Sequence, residues 1–271
     1  MDNAYSYENS KGRTYFLHSR LAKNSKTKLY FFAREVKDGA EASLPEGYEV
    51  RETGSGEGAI MASPVGLFAL PPVASGPAIL VLHPWWGLNG TIKAFCQRLA
   101  NDGFVVLAPD LYHGEVATTI DAAETLSAAL SEDEGRARAE IDAAASFLAV
   151  QGSAIAVIGF SMGAYYAIEL ADSRPDWVAK VVLFYGTGEL HFRQARASYM
   201  GHFAADDPYE SAEQIAATEA AIRDAGLAVT FHHYDKVGHW FFEADRADAY
   251  DEPSATLAWQ RTLAFLQDRE D

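Results

Sequence analysis

One pentapeptide restricts what this chain can fold into more than any other stretch. Four apolar residues, Ile155, Ala156, Val157 and Ile158, run straight into Gly159-Phe160-Ser161-Met162-Gly163, and a small-residue helical pattern follows at once. That order reads as a strand, a sharp turn and a helix. The G-x-S-x-G spacing has a mechanical cause: so tight a turn leaves no room for a Cβ on either side, so glycine flanks the corner and the serine hydroxyl is pushed out at the end of the sheet. Ser161 therefore reads as a nucleophile.

The rest of the chain supplies the context such an elbow needs. Short apolar runs at Gly66 to Leu70, Ala78 to His83, Phe104 to Ala108, Val181 to Tyr185, Ser198 to Phe203 and Leu227 to His233 alternate with helical patterns. Asn89 caps a helix whose apolar positions Ile92, Phe95, Cys96 and Leu99 recur at i, i+3, i+4 and i+7, with Gly103 beyond its end, so Cys96 reads as core. Ser131-Glu132-Asp133-Glu134 has the form of a capping box opening a helix that buries Ile141, Ala144, Ala145 and Leu148. Glu210 to Ala225 is helical, and Ser254 to Leu266 is a last helix with Trp259, Thr262, Leu263 and Leu266 inward. Strands alternating with helices predict an α/β fold: a mostly parallel central sheet with helices on both faces and active groups at the carboxyl ends of its strands.

Ahead of this body the character differs. Residues 1 to 12 read as frayed, Thr14 to His18 and Leu29 to Ala33 as a β-hairpin, and Tyr48 to Arg51 as a third strand between a Leu44-Pro45-Glu46-Gly47 turn and a glycine-rich break at Thr53 to Glu57. The expected division is a β-rich extension over residues 1–58 and a catalytic-type domain over 59–271. The extension is too small to bury much core alone, so packing on the main domain or on a neighbouring subunit is expected, compatible with a homo-oligomer.

Charge narrows the partners. The formal net charge is −16, and residues 1 to 55 hold 9 lysines and arginines against 8 aspartates and glutamates, so the rest carries about −17. Such a surface repels phosphate backbones and anionic lipid, which argues against nucleic acid or membrane as partners. The basic run Arg20 to Lys28 reads as a solvated hairpin tip. A single cysteine excludes an internal disulfide, no apolar run reaches membrane-spanning length, and the N-terminus lacks a basic-then-apolar signal layout, so the cytoplasm is the expected location.

A serine hydroxyl needs a base, and the base needs a carboxylate to fix its tautomer. Downstream of Ser161, Gly201-His202-Phe203-Ala204-Ala205-Asp206-Asp207-Pro208 ends a strand with an acidic pair, and Val237-Gly238-His239-Trp240 follows the next strand. The chain order Ser, Asp, His is the one this sheet topology uses. His232 and His233 lie inside a strand and read as structural, as do His202 and His191; His83, at the mouth of the strand before the first helix, is a candidate pocket residue rather than a catalytic one. Neither paired-histidine helix spacing nor a cysteine cluster is present, so no metal and no cofactor are expected.

The stretches LHPWWGLN at 82 to 89, APDLYHG at 108 to 114, IGFSMGA at 158 to 164, FYGTG at 184 to 188, GHFAADDP at 201 to 208 and GHWFFEADR at 238 to 246, with Trp259 to Leu263 in the closing helix, resemble the dienelactone hydrolase family of α/β-hydrolases over about residues 59 to 268. The resemblance implies Ser161 as nucleophile, His239 as base and Asp207, rather than Asp206, as the orienting acid. It implies an oxyanion hole from the backbone N–H groups of Trp85 and Met162, and Trp86, Tyr112, Tyr185 and Trp240 as candidate pocket walls. It departs from the name-giving enzymes in having Ser161 for their cysteine, Pro84 for their glutamate, and Gly114 and Glu243 where two substrate-binding arginines fall. The expectation is a serine hydrolase of small, neutral ester or lactone substrates, with Glu243 repelling a substrate carboxylate if it lines the pocket and Arg246 as the alternative cation there. Thioester or amide cleavage, and a non-catalytic binding or regulatory protein on the same fold, are the competing readings.

Overall fold

The computed structural model describes the chain apart from residues 1–3, 10–11, 22–27, 45–48, 53–58, 64–65, 70–76, 150–153, 189–190 and 269–271. The turn expected at 44–47, the break at 53–57 and most of the basic run at 20–28 lie outside the described residues. Two compact units are present, residues 1–81 with 86–153, and residues 82–85 with 154–271.

The first unit begins with a three-stranded antiparallel sheet, β1 (Ser6–Glu8), β2 (Thr14–Leu21) and β3 (Lys28–Ala33). The hairpin of β2 and β3 was expected; β1, in a stretch read as frayed, was not. Glu8 pairs Thr14, and the connection is closed by the Gly12 amide on the Asn9 carbonyl (2.9 Å) and the Arg13 amide on Asn9 Oδ1 (2.8 Å). Gly12 sits at φ 70°, a conformation other residues seldom adopt. Tyr15, Leu17 and Phe32 are buried, giving this small sheet an apolar face.

The same unit holds β4 (Glu49–Glu52), β5 (Ala59–Ser63), β6 (Gly66–Ala69), β7 (Ala78–Leu82) and β8 (Val105–Pro109), ordered β7-β8-β6-β5-β4. β7 and β8 are parallel; β6 joins β8, β5 joins β6, and β4 joins β5, all antiparallel. The strand before residue 58 is thus hydrogen-bonded to the one just after it. Helix α1 (Gly90–Asn101) is capped as expected, Asn89 Oδ1 accepting the Ile92 amide at 3.0 Å, with Ile92, Phe95, Cys96 and Leu99 buried and the Cys96 thiol pushed up by that burial.

The capping box expected at Ser131 is a correction. The chain is already helical as α2 (Ile120–Glu132), capped by Thr119, and Ser131 Oγ bonds the Ser127 carbonyl within it. Asp133, at φ −131° and ψ 46°, ends α2 and caps α3 (Glu134–Leu148) by accepting the Arg136 amide. α2 was not foreseen because it buries only Ala123 and Leu130, too few apolar positions for a visible period.

The second unit alternates strands and helices except between its second and third strands, which follow one another with no helix between them. β9 (Ile155–Phe160), β10 (Val178–Phe184), β11 (Ser198–Ala204) and β12 (Val229–Tyr234) are parallel neighbours in chain order. Between and after them run α4 (Met162–Ser173), α5 (Ala212–Asp224) and α6 (Glu252–Leu266). β10 and β11 bury nearly their whole length, and Phe160 stacks on Phe184 at 4.6 Å, as continuous apolar runs in a covered parallel sheet require. α5 carries a true capping box between Ser211 and Gln214. α6 is capped by Asp251 and buries Trp259, Thr262 and Leu266, while Leu263 is only half-buried. The architecture is the expected α/β one, a mostly parallel sheet with helices.

Candidate active site

Ser161 sits between β9 and α4 at φ 48° and ψ −113°, a region a residue with a Cβ occupies only under strain. Its amide donates to the Phe184 carbonyl (2.9 Å) and its carbonyl accepts the Ala164 amide (2.8 Å), so the corner is held from both sides. The flanking glycines are obligatory for contacts as well as for the turn. A Cβ on Gly159 would strike the backbone of Gly163 and Ala164, and one on Gly163 would strike the carbonyls of Leu82 and His83. That second approach lays the 82–85 loop against the start of α4, bringing the backbone around Trp85 to the same corner as Met162. Met162 is the first residue of α4, where N–H groups have no carbonyl within the helix and the dipole favours negative charge.

Asp207 and His239 arrive from the loops after β11 and β12. Asp207 Oδ1 accepts the amides of Tyr209 (2.9 Å) and Glu210 (3.2 Å), which fixes the carboxylate before it meets the imidazole. His239 Nδ1 lies 2.9 Å from Asp207 Oδ1 and 2.7 Å from Oδ2, and both side chains are almost wholly buried. A carboxylate accepts, so Nδ1 carries the proton and donates; Nε2, 3.1 Å from Ser161 Oγ, is left with a lone pair toward the hydroxyl. Asp206 is exposed and forms no such contact with His239.

The other expected residues divide. Trp240 is half-buried with its ring 5.2 Å from that of His239, and at φ 56° its backbone is strained. Tyr185 also packs on His239, at 4.8 Å, but is fully buried. Trp86 and Tyr112 are buried too, the Trp86 carbonyl accepting the Ala117 amide and the Tyr112 ring closing on Gly87, so both serve packing. Glu243 is completely buried rather than lining an opening, because its side chain turns inward to the Tyr185 hydroxyl, 2.8 Å from Oε1. Burial pushes its carboxyl up to about 8. At pH 7 the protonated form therefore predominates, and the buried side chain is not placed to repel a substrate carboxylate.

His202, read as structural, and His83, read as a candidate pocket residue, are both core groups. His202 Nδ1 and Nε2 meet Tyr234 Oη (2.9 Å) and Thr262 Oγ1 (3.0 Å), and burial holds the ring well below its usual range. His83 is buried, lowered to about 4, and donates from Nδ1 to the Pro84 carbonyl at 2.7 Å, which stiffens the loop ahead of Trp85.

Two residues near the site, Tyr209 and Glu210, went unnoticed in the sequence. Tyr209, 46% exposed, packs its ring 5.0 Å from both His239 and Trp240 and edge-on to Trp85 at 5.7 Å. Trp85 in turn stacks on Trp240 at 6.0 Å, so its side chain as well as its backbone faces this corner. Glu210, raised by burial, accepts from Thr187 Oγ1 at 2.6 Å, and its amide donates to Asp207 Oδ1, which puts it beside the Asp207–His239 pair. The signal was present in Tyr209 and Glu210 standing two and three residues after Asp207.

A parallel sheet whose strand ends bring a serine, an imidazole and a carboxylate together is the arrangement of the α/β-hydrolase class. More narrowly, the model of the dienelactone hydrolase family matches residues 65–269, and the chain belongs to that family. It is 30% identical to protein usf of Aquifex pyrophilus over 208 residues, 73% of this chain and 90% of that one. It is 29% identical to a probable 2-oxo-3-(5-oxofuran-2-ylidene)propanoate lactonase of Bradyrhizobium sp over 216 residues, 72% and 86% of the two chains. A dienelactone hydrolase-like promiscuous phosphotriesterase from metagenomic libraries shares the fold, with a TM-score of 0.65 at 21% identity over 82% of this chain and 97% of that one. Among the described residues no group of side chains could hold a metal ion, and no helix is long and apolar enough to cross a membrane.

Proposed function

We propose that this protein is a serine hydrolase of small, neutral esters or lactones, working through Ser161, His239 and Asp207 and an acyl-enzyme. The observation that carries the reading is the unbroken hydrogen-bonded line from Ser161 Oγ to His239 Nε2 (3.1 Å) and from His239 Nδ1 to Asp207 (2.7 Å). His239 Nε2 takes the hydroxyl proton as Ser161 Oγ bonds to the substrate carbonyl carbon. The amides of Trp85 and Met162 receive the oxyanion, a contribution of about 3 to 4 kcal/mol when one such donor is lost in related chemistry. As the carbon–oxygen bond breaks, His239 returns the proton to the departing alkoxide, which in a lactone stays tethered to the acyl group. Water, deprotonated by the same nitrogen, then attacks the ester on Ser161 and frees the acid and the serine.

Neutral substrates fit because neither position on which the name-giving enzymes' arginines fall supplies a cation: Gly114 has no side chain and Glu243 is buried. The cytoplasm is the location we propose, in keeping with the single, buried Cys96. The test is kcat/KM for p-nitrophenyl acetate in the wild type and in Ser161→Ala. Loss of several powers of ten with the fold intact supports the proposal. Equal activity in the variant, or a folded wild type inert to every small ester and lactone tried, rejects it.

A further inference from the structure

Glu243 stands four residues after His239, in a turn closed by the Glu243 amide on the Trp240 carbonyl (2.9 Å) and the Arg246 amide on the Glu243 carbonyl (2.9 Å). Its side chain is fully buried. One oxygen accepts the Tyr185 hydroxyl at 2.8 Å; the other, Oε2, has no hydrogen-bond partner among the described residues. Tyr185 directly follows β10, held there at φ 37° with its amide on the His202 carbonyl (2.8 Å) and its ring 4.8 Å from the imidazole of His239. β10 is the neighbour of β9, the strand that ends at Ser161. A single buried hydrogen bond thus ties the loop carrying the imidazole to the strand beside the nucleophile.

We propose that Glu243 is a positioning residue, a latch that through Tyr185 seats the His239 ring at hydrogen-bonding distance from Ser161. The inference rests on the hydrolase reading above. The uncharged acid suits the role, since it can accept from Tyr185 without placing a bare charge in the core, whereas a carboxylate there would be stabilised by one hydrogen bond only. The groups facing the pair are few. Tyr185 approaches from β10, Asp245 and Arg246 flank Glu243 on its own turn with opposite effects, and Asp207 acts on the Tyr185 hydroxyl; burial outweighs them and sets the carboxyl at about 8. Ionisation above that pH strengthens the bond accepted from Tyr185 but leaves a charge buried with Oε2 unpartnered, so the turn opens to hydrate it and turnover falls on the alkaline side.

The experiment compares kcat and KM for p-nitrophenyl acetate from pH 6 to 9.5 in the full-length wild type, Glu243→Gln, Glu243→Leu, Tyr185→Phe and the Leu/Phe double variant. Glutamine keeps an acceptor and cannot ionise, so it retains wild-type kcat at pH 7 and lacks the fall above pH 8. Leucine and phenylalanine each lower kcat by about 10- to 100-fold with little change in KM, the cost of a misplaced general base, and the double variant is no worse than either. Full activity in Glu243→Leu, or a Glu243→Gln as impaired as the leucine variant, overturns the latch. If Glu243→Leu does not fold, the other two decide it: an unaltered alkaline fall in Glu243→Gln, or wild-type kcat in Tyr185→Phe, overturns it. Labelling of wild-type Ser161 by a fluorophosphonate separates the two readings. A labelled, active wild type with indifferent variants refutes the latch alone, and an unlabelled, inactive wild type refutes both.

Discussion

Replacing Glu243 by glutamine should change how stability depends on pH, and the size of the effect follows from the environment of the carboxyl. Burial raises it from 4.5 to about 8, against the smaller opposing pull of the Tyr185 hydrogen bond. At roughly 1.4 kcal/mol per unit, a shift of that size corresponds to a stability difference on the order of 5 kcal/mol, an upper figure because local opening relieves part of it. The sign is fixed by proton binding. Between pH 4.5 and about 8 the folded protein holds a proton on Glu243 that the unfolded chain has lost, so stability falls as pH rises. The contribution is fully present below 4.5, is lost as pH rises through about 8, and is constant beyond. Urea unfolding of wild type and Glu243→Gln at intervals from pH 5 to 9 isolates it, since every other titrating group is common to both. The wild-type advantage, whatever its value at pH 5, should decline by on the order of 1 kcal/mol per pH unit toward pH 8 and then level off. A difference that stays flat across this range would mean that the carboxyl is not buried in its acid form, and the latch would lose its physical basis.

Further outcomes follow from the same geometry. Asp207→Asn should reduce turnover by several powers of ten and Asp206→Asn far less, because only Asp207 fixes the imidazole proton on Nδ1; steady-state rates in the opposite order would contradict the assignment. Gly163→Ala should lower kcat by about 10- to 100-fold, since the new Cβ meets the Leu82 and His83 carbonyls and displaces the loop that carries Trp85; unchanged kcat would remove that loop from the oxyanion site. Deleting residues 1–58 removes the three-stranded sheet and β4 but none of Ser161, Asp207, His239, Trp85 or Met162, so esterase activity should persist. A folded but inactive truncation would show that the extension completes the site.

The elements the sequence revealed and those it concealed differ in a physical way. Where burial repeats along a regular element, the pattern was readable: α1 from its i, i+3, i+4, i+7 stripe, and β9 with its elbow from an apolar run ending in Gly159 and Gly163. Where contacts depend on the direction of a loop side chain, it was not. Trp86 and Tyr112 looked like pocket walls and are core, while Tyr209 was passed over and lies against His239. Whether Glu243 or Arg246 faces the pocket was left open, because nothing in GHWFFEADR shows that the fourth residue after the histidine turns inward to Tyr185. The choice of Asp207 over Asp206 rested on resemblance, and the structure places Asp207 on the imidazole through two backbone amides that no periodicity announces.

The central claim is that Ser161 is the nucleophile, and covalent trapping tests it most directly. Folded wild-type protein is incubated with a fluorophosphonate, digested, and the modified residue located by mass spectrometry. The account predicts one stoichiometric adduct on Ser161, formed in parallel with loss of esterase activity and slowed by orders of magnitude in His239→Ala, which removes the base 3.1 Å away. An adduct on another residue, or ester hydrolysis that continues while Ser161 stays unmodified, would contradict it.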